Sequence, residues 1–252
     1  MTAKHHRETR VWDLPTRLFH WSLVLLVGSN LFLIGPVGGV ETVIHFLTGY
    51  LIAGLLLFRL TWGFIGSPRS RFADFVKPWP RVEAYIQRLR TLKPPPSIGH
   101  NPLGGWMIVL LLVTLATMVG TGLFASSRHA AGPFAHLIPV SMTATLGNIH
   151  QLVSNFLIGL VVVHIAGVAV EWLLTGENLV KAMINGRKRL SAELADVERP
   201  TAPARRAALV GLVCLALVAG LAAATNFSAT RASLQAAVIQ KTSSVPETSA
   251  GD

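Results

Sequence analysis

A long apolar stretch with a histidine near each end decides the fold of this chain. Residues 148–164 read Asn-Ile-His-Gln-Leu-Val-Ser-Asn-Phe-Leu-Ile-Gly-Leu-Val-Val-Val-His, and the apolar run continues to about Trp172. His150 and His164 are fourteen residues apart. In a helix this spacing advances about 21 Å and returns to within about 40° of the same face. Ionisable side chains inside a bilayer are rare and functional by default, so both imidazoles are candidate ligands for a group held in a helix bundle.

The composition of the 252 residues is that of an integral membrane protein. Hydrophobic residues make up 51% and charged residues 13%, and the formal net charge is +10 with neutral histidines. The basic residues lie between the apolar runs, so they indicate membrane topology and not nucleic-acid binding. Cys214 is the single cysteine, which excludes an intrachain disulfide, a cysteine zinc cluster and covalent haem attachment through Cys-x-x-Cys-His.

Five apolar runs are each long enough to cross a membrane as a helix, which takes about 20 residues. They cover about 18–37, 42–65, 103–124, 146–172 and 207–224. The pattern predicts an all-α integral membrane fold: a four-helix transmembrane bundle plus a fifth C-terminal transmembrane helix. A basic leader before an apolar run is also typical of a signal peptide, but no convincing small-residue cleavage site follows, so we expect a retained first span.

The basic residues also predict the orientation of the spans. Counted by successive connecting segments, Lys and Arg number 4, 0, 7, 1 and 7, followed by 2 in the tail. The positive-inside rule then puts the N-terminus and the segments 66–102 and 173–206 in the cytoplasm, and the C-terminus outside. We expect one bundle domain over 1–190, with a surface helix near Pro80–Leu92. Residues 191–252 are expected to form a linker, the fifth span and a weakly ordered polar tail.

The predicted topology sorts four histidines into two levels. His45 and His150, the outer pair, fall near the outer face, while His20 and His164, the inner pair, fall nearer the cytoplasm. Paired neutral imidazoles from facing helices suit the axial ligation of haem. We predict two non-covalent haems, one at each pair, and the saturated irons favour electron carriage over oxygen chemistry. No ligand role is expected for the histidines of polar or loop segments, which are His5, His6, His100, His129 and His136.

Six motifs carry a family pattern. They are Val-Trp-Asp-Leu-Pro-Thr-Arg-Leu-Phe-His-Trp at 11–21, His-Phe-Leu-Thr-Gly-Tyr at 45–50, Phe-Arg-Leu-Thr-Trp-Gly at 58–63, Arg-Phe at 71–72, Gly-His-Asn-Pro-Leu-Gly-Gly at 99–105, and Asn-Leu-Val-Lys-Ala-Met-Ile-Asn-Gly-Arg-Lys at 178–188. Together they resemble the bacterial cytochrome b561 and nickel–iron hydrogenase b-type cytochrome family over roughly residues 10–190.

The resemblance implies a membrane bundle of four core helices with non-covalent b-type haem. It also implies electron exchange with quinones or with a partner redox protein, such as a cytochrome c or a hydrogenase-type subunit, in the bacterial cytoplasmic membrane. It supports His20, His45, His150 and His164 as ligands. The family often has His-Glu at the start of the fourth helix, whereas this chain has His150 followed by Gln151, which puts any role of that carboxylate in proton handling in doubt.

Several other residues have two interpretations. Arg59, near the cytoplasmic end of the second span, is a candidate partner for a haem propionate, but its side chain could equally snorkel to lipid headgroups, and Arg17 has the same two interpretations. Five glycines would either let a porphyrin approach the backbone or serve helix contacts; they are Gly28, Gly49, Gly54, Gly120 and Gly159.

Three functional hypotheses follow. The first is a di-haem b-type cytochrome, an electron-transfer subunit of a respiratory chain that works between the quinone pool and a redox partner, alone or as an oligomer. The second is a self-sufficient superoxide:quinone oxidoreductase, which needs no protein partner. The third, from another class, is a non-haem membrane transporter or assembly factor whose histidines bind substrate or metal.

Overall fold

The computed structural model describes residues 6–33, 40–126, 131–191 and 200–243, and most of them are helical. The elements are strand β1 (His6–Arg10), helices α1 (Leu14–Leu33), α2 (Val40–Ile65), α3 (Phe72–Phe75), α4 (Trp79–Arg90), α5 (Pro102–Phe124), α6 (Val140–Thr175) and α7 (Leu179–Asn185), strand β2 (Arg187–Ser191), and helix α8 (Ala204–Ser243). Two 3₁₀ turns lie at Pro68–Ser70 and Ala135–Leu137. The expected surface helix is present as α4.

Four of the described helices are long and apolar enough to cross a membrane. These segments are Thr42–Ile65, Pro102–Phe124, Val140–Thr175 and Ala204–Thr225, and with them the chain is a multi-pass membrane protein. Helix α1 is not in this set, and residues 34–37 of the predicted first span lie outside the described residues. The arrangement of five spans therefore stays a prediction.

Two helices extend beyond the predicted spans. Helix α6 begins at Val140, directly after Pro139 at its N-cap, and so includes residues that were expected in a connection. Helix α8 continues to Ser243, so much of the expected weakly ordered tail is helical. The reason lies in its composition, because Ala, Leu and Gln recur through residues 232–240 and favour helix.

The helices pack in a way that leaves α6 attached mainly to α5. Helix α5 runs along α6, whereas α2 packs against α1, α5 and α8. Within the described ranges, α1 and α2 make few close backbone contacts with α6. The buried core between the helices includes Phe19, Leu56, Trp62, Leu112, Leu115 and Leu157. The histidine-bearing helices α1 and α2 thus face α6 across a gap that side chains must bridge.

A two-stranded sheet corrects the all-α prediction. Strand β1 pairs antiparallel with β2, and Thr9 lies opposite Lys188. Gly186 has the left-handed conformation, with φ of 80°, and it ends α7 and turns the chain into β2. Its carbonyl accepts hydrogen bonds from the amides of Val11 at 2.8 Å and Trp12 at 3.1 Å. The strands are short and basic, without alternation of apolar residues, so the sequence pattern contains no strand signal.

The sheet marks one end of the helix bundle, here called the ribbon end: β1, β2, α3, α4, α7 and the loop 91–101. Three distant segments meet there. Lys188 Nζ donates to the carbonyl of Ser97 at 3.1 Å, and the amide of Ala202 donates to Ser67 Oγ at 2.9 Å. The basic segments that the charge pattern assigns to one side of the membrane therefore lie at the same end of the molecule.

Asp13 connects the starts and ends of helices at the ribbon end. It directly precedes α1, where its Oδ1 accepts a hydrogen bond from the amide of Thr16 at 3.0 Å, as an N-cap residue does. Its Oδ2 accepts from Trp62 Nε1 at 2.9 Å, and Trp62, near the end of α2, is fully buried. This carboxylate holds the first turn of α1 against the last turns of α2 and so fixes the level at which His20 lies.

Candidate functional site

The outer pair of histidines is brought together between α2 and α6. The ring centroids of His45 and His150 are 6.0 Å apart, with an interplanar angle of 86°. An imidazole nitrogen binds a transition metal at about 2.0 Å, so two imidazoles on opposite sides of one metal ion have centroids about 6 Å apart. The spacing of the two rings therefore fits a single metal ion between them.

The number of ligands distinguishes haem from a bare metal ion. The described residues contain no group of three or more His, Cys, Asp or Glu side chains placed to hold a metal. A bare transition metal usually takes three or four protein ligands, whereas haem supplies four nitrogens of its own and needs only two axial ligands. A pair of imidazoles without further ligands fits haem.

The hydrogen bonds of His150 define which ring nitrogen is free to bind. Its Nδ1 lies 3.1 Å from the carbonyl oxygen of Met118 and 3.1 Å from Thr121 Oγ1. A carbonyl oxygen only accepts, so Nδ1 carries the proton and donates. The hydroxyl of Thr121 donates to the carbonyl of Thr117 at 2.7 Å, which leaves Oγ1 as an acceptor for the ring. Nε2 of His150 therefore has the lone pair that iron requires.

The ring of His45 is oriented in the same sense by an amide. Its Nδ1 lies 2.9 Å from Asn30 Oδ1. Asn30 Nδ2 donates to the carbonyl of Leu26 and to Thr48 Oγ1, both at 2.8 Å. Because the Leu26 carbonyl can only accept, the amide nitrogen must face it and the amide oxygen must face the ring. His45 thus donates from Nδ1 and keeps its lone pair on Nε2, as a metal ligand with an outer hydrogen bond does.

The inner pair comes from α1 and α6, and its two residues, His20 and His164, lie within the range of electrostatic interaction. Among the described residues, His20 Nδ1 is buried without a hydrogen-bond partner. Buried polar atoms nearly always have a partner, so this imidazole has unused binding capacity, which fits a ligand position.

Arg59 is a buried cation at the ribbon-end side of the inner pair. It lies fourteen residues after His45 on α2. This spacing puts it on nearly the same face of the helix and about 21 Å further along the axis. Arg59 is only 3% exposed. Its Nη1 donates a hydrogen bond to the carbonyl of Ser70 at 3.1 Å. The guanidinium lies over the rings of Phe72 and Phe75, 5.2 and 5.4 Å from their centroids. Burial at this depth does not fit the snorkelling interpretation.

Arg17 donates to the carbonyl of Ile184.

His100, for which no role was expected, lies beside the inner pair. Its ring packs against Trp12 at 4.3 Å and Phe75 at 5.0 Å, and it interacts electrostatically with both His20 and His164. Burial lowers the pKa of His100 to about 3, and the charges of Arg59 and Lys188 act in the same direction. His100 is therefore neutral at physiological pH.

The glycines of the spans differ in what an added side chain would contact. A Cβ on Gly54 would contact Val218 of α8 at 3.4 Å, so this glycine serves helix packing. At Gly28, Gly49, Gly120 and Gly159 a Cβ would meet nothing within 4 Å, so each borders open space. A Cβ on Gly122 would lie 3.0 Å from Cε1 of His150, so the absence of a side chain there sets the position of that ring.

The residues that orient the outer pair were not among the predicted site residues. Asn30 offered a signal, since a polar amide inside an apolar run is a functional candidate by default. Thr48 and Thr121 offered none, because threonine is common in membrane helices and often bonds its own backbone. Gly122 is likewise one of many glycines in the spans.

Comparison with known proteins gives a consistent family. The family model of prokaryotic cytochrome b561 matches residues 11–186. The chain is 26% identical over 219 residues to a probable Ni/Fe-hydrogenase B-type cytochrome subunit of Azotobacter vinelandii, covering 74% of this chain and 90% of that protein. It is 25% identical over 227 residues to a probable Ni/Fe-hydrogenase 1 B-type cytochrome subunit of Escherichia coli, covering 75% and 94%. No solved structure matches the chain with statistical significance.

Proposed function

The chain belongs to the prokaryotic cytochrome b561 family, and on that premise we propose that it is a di-haem b-type cytochrome that carries electrons between the quinone pool and a partner redox protein. The observation that carries the proposal is the outer pair: two imidazole rings 6.0 Å apart, with Nδ1 of each ring hydrogen-bonded to a group other than its partner ring. Relatives named as Ni/Fe-hydrogenase B-type cytochrome subunits make a hydrogenase-type protein the first partner to test.

Each proposed haem is held by one residue pair. His45 and His150 would bind the outer iron, and His20 and His164 the inner iron, in both cases without covalent attachment because the chain has a single cysteine. Haem iron between two imidazoles gains or loses one electron and has no coordination position open to oxygen. The protein contributes fixed ligands in an apolar surrounding.

Arg59 is proposed to bind a propionate of the inner haem. A guanidinium that is 3% exposed in an apolar interior needs an anionic partner close by, since an unpaired buried charge is costly. Asp13 acts on Arg59 electrostatically and offsets part of this charge, while its two oxygens accept hydrogen bonds from Trp62 and Thr16. A propionate would add a charge-assisted hydrogen bond, and Arg59 would in turn fix the orientation of the porphyrin.

We also propose that the ribbon end faces the cytoplasm of a bacterial inner membrane. The three basic segments that meet there match the positive-inside rule. The N-terminus would then lie in the cytoplasm and, with five spans, the C-terminus in the periplasm. The outer pair would be nearer a periplasmic redox partner, and the inner pair nearer the cytoplasmic surface.

The proposal is tested by a pyridine haemochrome spectrum of the purified protein. We expect b-type haem at about two per chain. A value near zero would contradict the proposal and favour a non-haem transporter or assembly factor. With haem present, reduction by superoxide alone, without any protein partner, would instead favour the superoxide:quinone oxidoreductase, whereas co-purification of a cytochrome c or hydrogenase-type subunit would support the proposed electron carrier.

A further inference from the structure

The two histidine pairs differ in the hydrogen bonds that Nδ1 of their rings makes. Both outer rings donate from Nδ1: His45 to Asn30 Oδ1 at 2.9 Å, and His150 to the carbonyl of Met118 at 3.1 Å. By contrast, Nδ1 of His20 in the inner pair is buried without a partner among the described residues. The outer rings are therefore supported by hydrogen bonds of a kind that His20 lacks.

The acceptor behind His45 is itself fixed. Asn30 Nδ2 donates to Thr48 Oγ1 at 2.8 Å, and the hydroxyl of Thr48 donates to the carbonyl of Ile44 at 2.8 Å. Together with the bond from Asn30 to the Leu26 carbonyl, these contacts prevent the amide from turning its nitrogen toward the ring. Asn30 can then act on His45 only as an acceptor.

A hydrogen bond from Nδ1–H makes an imidazole a more basic ligand. Such bonds from metal-ligating histidines raise ligand basicity and tune the metal, and hydrogen bonding beyond the axial ligand is one of the ways a protein sets a haem potential. A more basic ligand stabilises ferric iron more than ferrous iron. The bonds of the outer pair therefore lower the reduction potential at that site.

Charge acts in the opposite direction at the inner pair. Arg59 is a buried cation on that level of the bundle, and it acts electrostatically on His100, which interacts with His20 and His164. Asp13 offsets part of the charge of Arg59, and Lys188 adds little net charge because it is paired with Glu177 Oε2 at 3.0 Å. Positive charge in a medium of low dielectric constant disfavours the more positive, ferric state. The inner site is thus expected to have the higher reduction potential.

We propose that Asn30 is a positioning residue that, together with Thr121 and the Met118 carbonyl, holds the outer haem site at a lower reduction potential than the inner site. This inference rests on the proposed function, because it requires a haem at each pair. It concerns the ligand environment and not the identity of the electron donor or acceptor.

The test is a spectroscopic redox titration of the purified full-length protein and its variants. In Asn30→Leu we expect the lower of two midpoint potentials to rise and the higher one to stay unchanged. In Thr121→Val the rise should be smaller, because the Met118 carbonyl remains 3.1 Å from Nδ1. Thr114→Val is the matched control: Thr114 is buried on the same helix, two turns away, and its hydroxyl bonds the Leu110 carbonyl, so neither potential should move.

Assignment of the potentials uses His164→Ala, which keeps only the outer site. Its remaining potential should be the lower of the two; retention of the higher one would overturn the inference. An unchanged lower potential in Asn30→Leu with two haems per chain would also overturn it. If Asn30→Leu lost haem, Thr48→Val and Thr121→Val would decide, since an unmoved lower potential in both contradicts the inference. Fewer than two haems in the wild-type chain would contradict the proposed function instead.

Discussion

The outer and inner histidine pairs are built by different means. The outer pair is oriented inside the bundle by groups on neighbouring helices: the amide of Asn30, the hydroxyl of Thr121 and the backbone carbonyl of Met118. The inner pair lies against the ribbon end, where β1, the loop 91–101 and β2 converge from distant parts of the sequence. The comparison indicates that the outer site depends on single side chains, whereas the inner site depends on the correct assembly of the ribbon end.

Removal of one histidine should give the largest effect and separates the two sites directly. We expect His150→Ala to abolish the outer haem alone and His164→Ala the inner haem alone, because each proposed iron would lose one of its two protein ligands. Haem content per chain should fall by half in either variant. Loss of both haems from a variant that keeps its helical circular dichroism would refute the pairing.

Replacement of Arg59 should weaken the inner site and leave the outer site intact. Hydrogen bonds to charged groups contribute about 1.5–3 kcal/mol, so in Arg59→Met we expect about tenfold to hundredfold faster loss of the inner haem to an acceptor such as apomyoglobin. Arg71→Met serves as the control, because Arg71 is an exposed cation at the same end that donates to the Gly66 carbonyl at 2.9 Å. Equal loss in both variants would exclude a specific propionate contact.

A side chain at position 122 should disturb only the outer site. A Cβ there would lie 3.0 Å from Cε1 and 3.3 Å from Nδ1 of His150, so in Gly122→Ala the ring must shift. We expect a changed absorption or electron paramagnetic resonance signal from one of the two haems. Gly211→Ala on α8, where a Cβ meets nothing within 4 Å, should leave both signals unchanged; a spectrum of Gly122→Ala identical to wild type would show that the ring position is not set in this way.

The smallest effect is expected from Tyr85, which stabilises the ribbon end without touching either pair. Its hydroxyl donates to Glu171 Oε2 at 2.6 Å, and both side chains are buried; burial and this hydrogen bond raise the pKa of Tyr85. Tyr85→Phe leaves the carboxyl group without this donor and should lower the free energy of unfolding by about 1–3 kcal/mol.

The measurement for this prediction is thermal or denaturant unfolding in detergent. Thr91→Val, at an exposed hydroxyl at the end of α4 that donates to the Arg88 carbonyl, should change stability by less than about 0.5 kcal/mol. Because the inner pair lies against the ribbon end, the inner haem signal should be lost before the outer signal as Tyr85→Phe unfolds. Simultaneous loss of both signals would argue that the ribbon end supports the two sites equally.

Much of the fold follows from the sequence because the bilayer constrains it. Apolar runs of membrane-spanning length place α2 and α5 to within two residues and predict all but the ends of α6, and the predicted topology puts His45 at the level of His150. The ribbon could not be predicted, since its strands are short, basic and separated by most of the chain. Helix α8 was underestimated for a related reason: its second half is helical by intrinsic propensity and not by hydropathy.

The chemistry around the rings was less predictable than the rings themselves. Histidine in an apolar helix is conspicuous, whereas Thr121 matters only because α5 packs against α6 in a register that brings its hydroxyl to His150. His100 was set aside because its segment is a loop, but the contacts of that loop with Trp12 and Phe75 carry it to the inner pair. Such contacts depend on tertiary packing, which spacing along one chain does not encode.

We propose that this chain holds two haems at sites of unequal reduction potential. A potentiometric titration of the purified wild-type protein, with haem and protein quantified in the same sample, tests it most directly. We expect two b-type haems per chain that titrate as two resolved one-electron steps. No haem, or one haem with a single step, would contradict it.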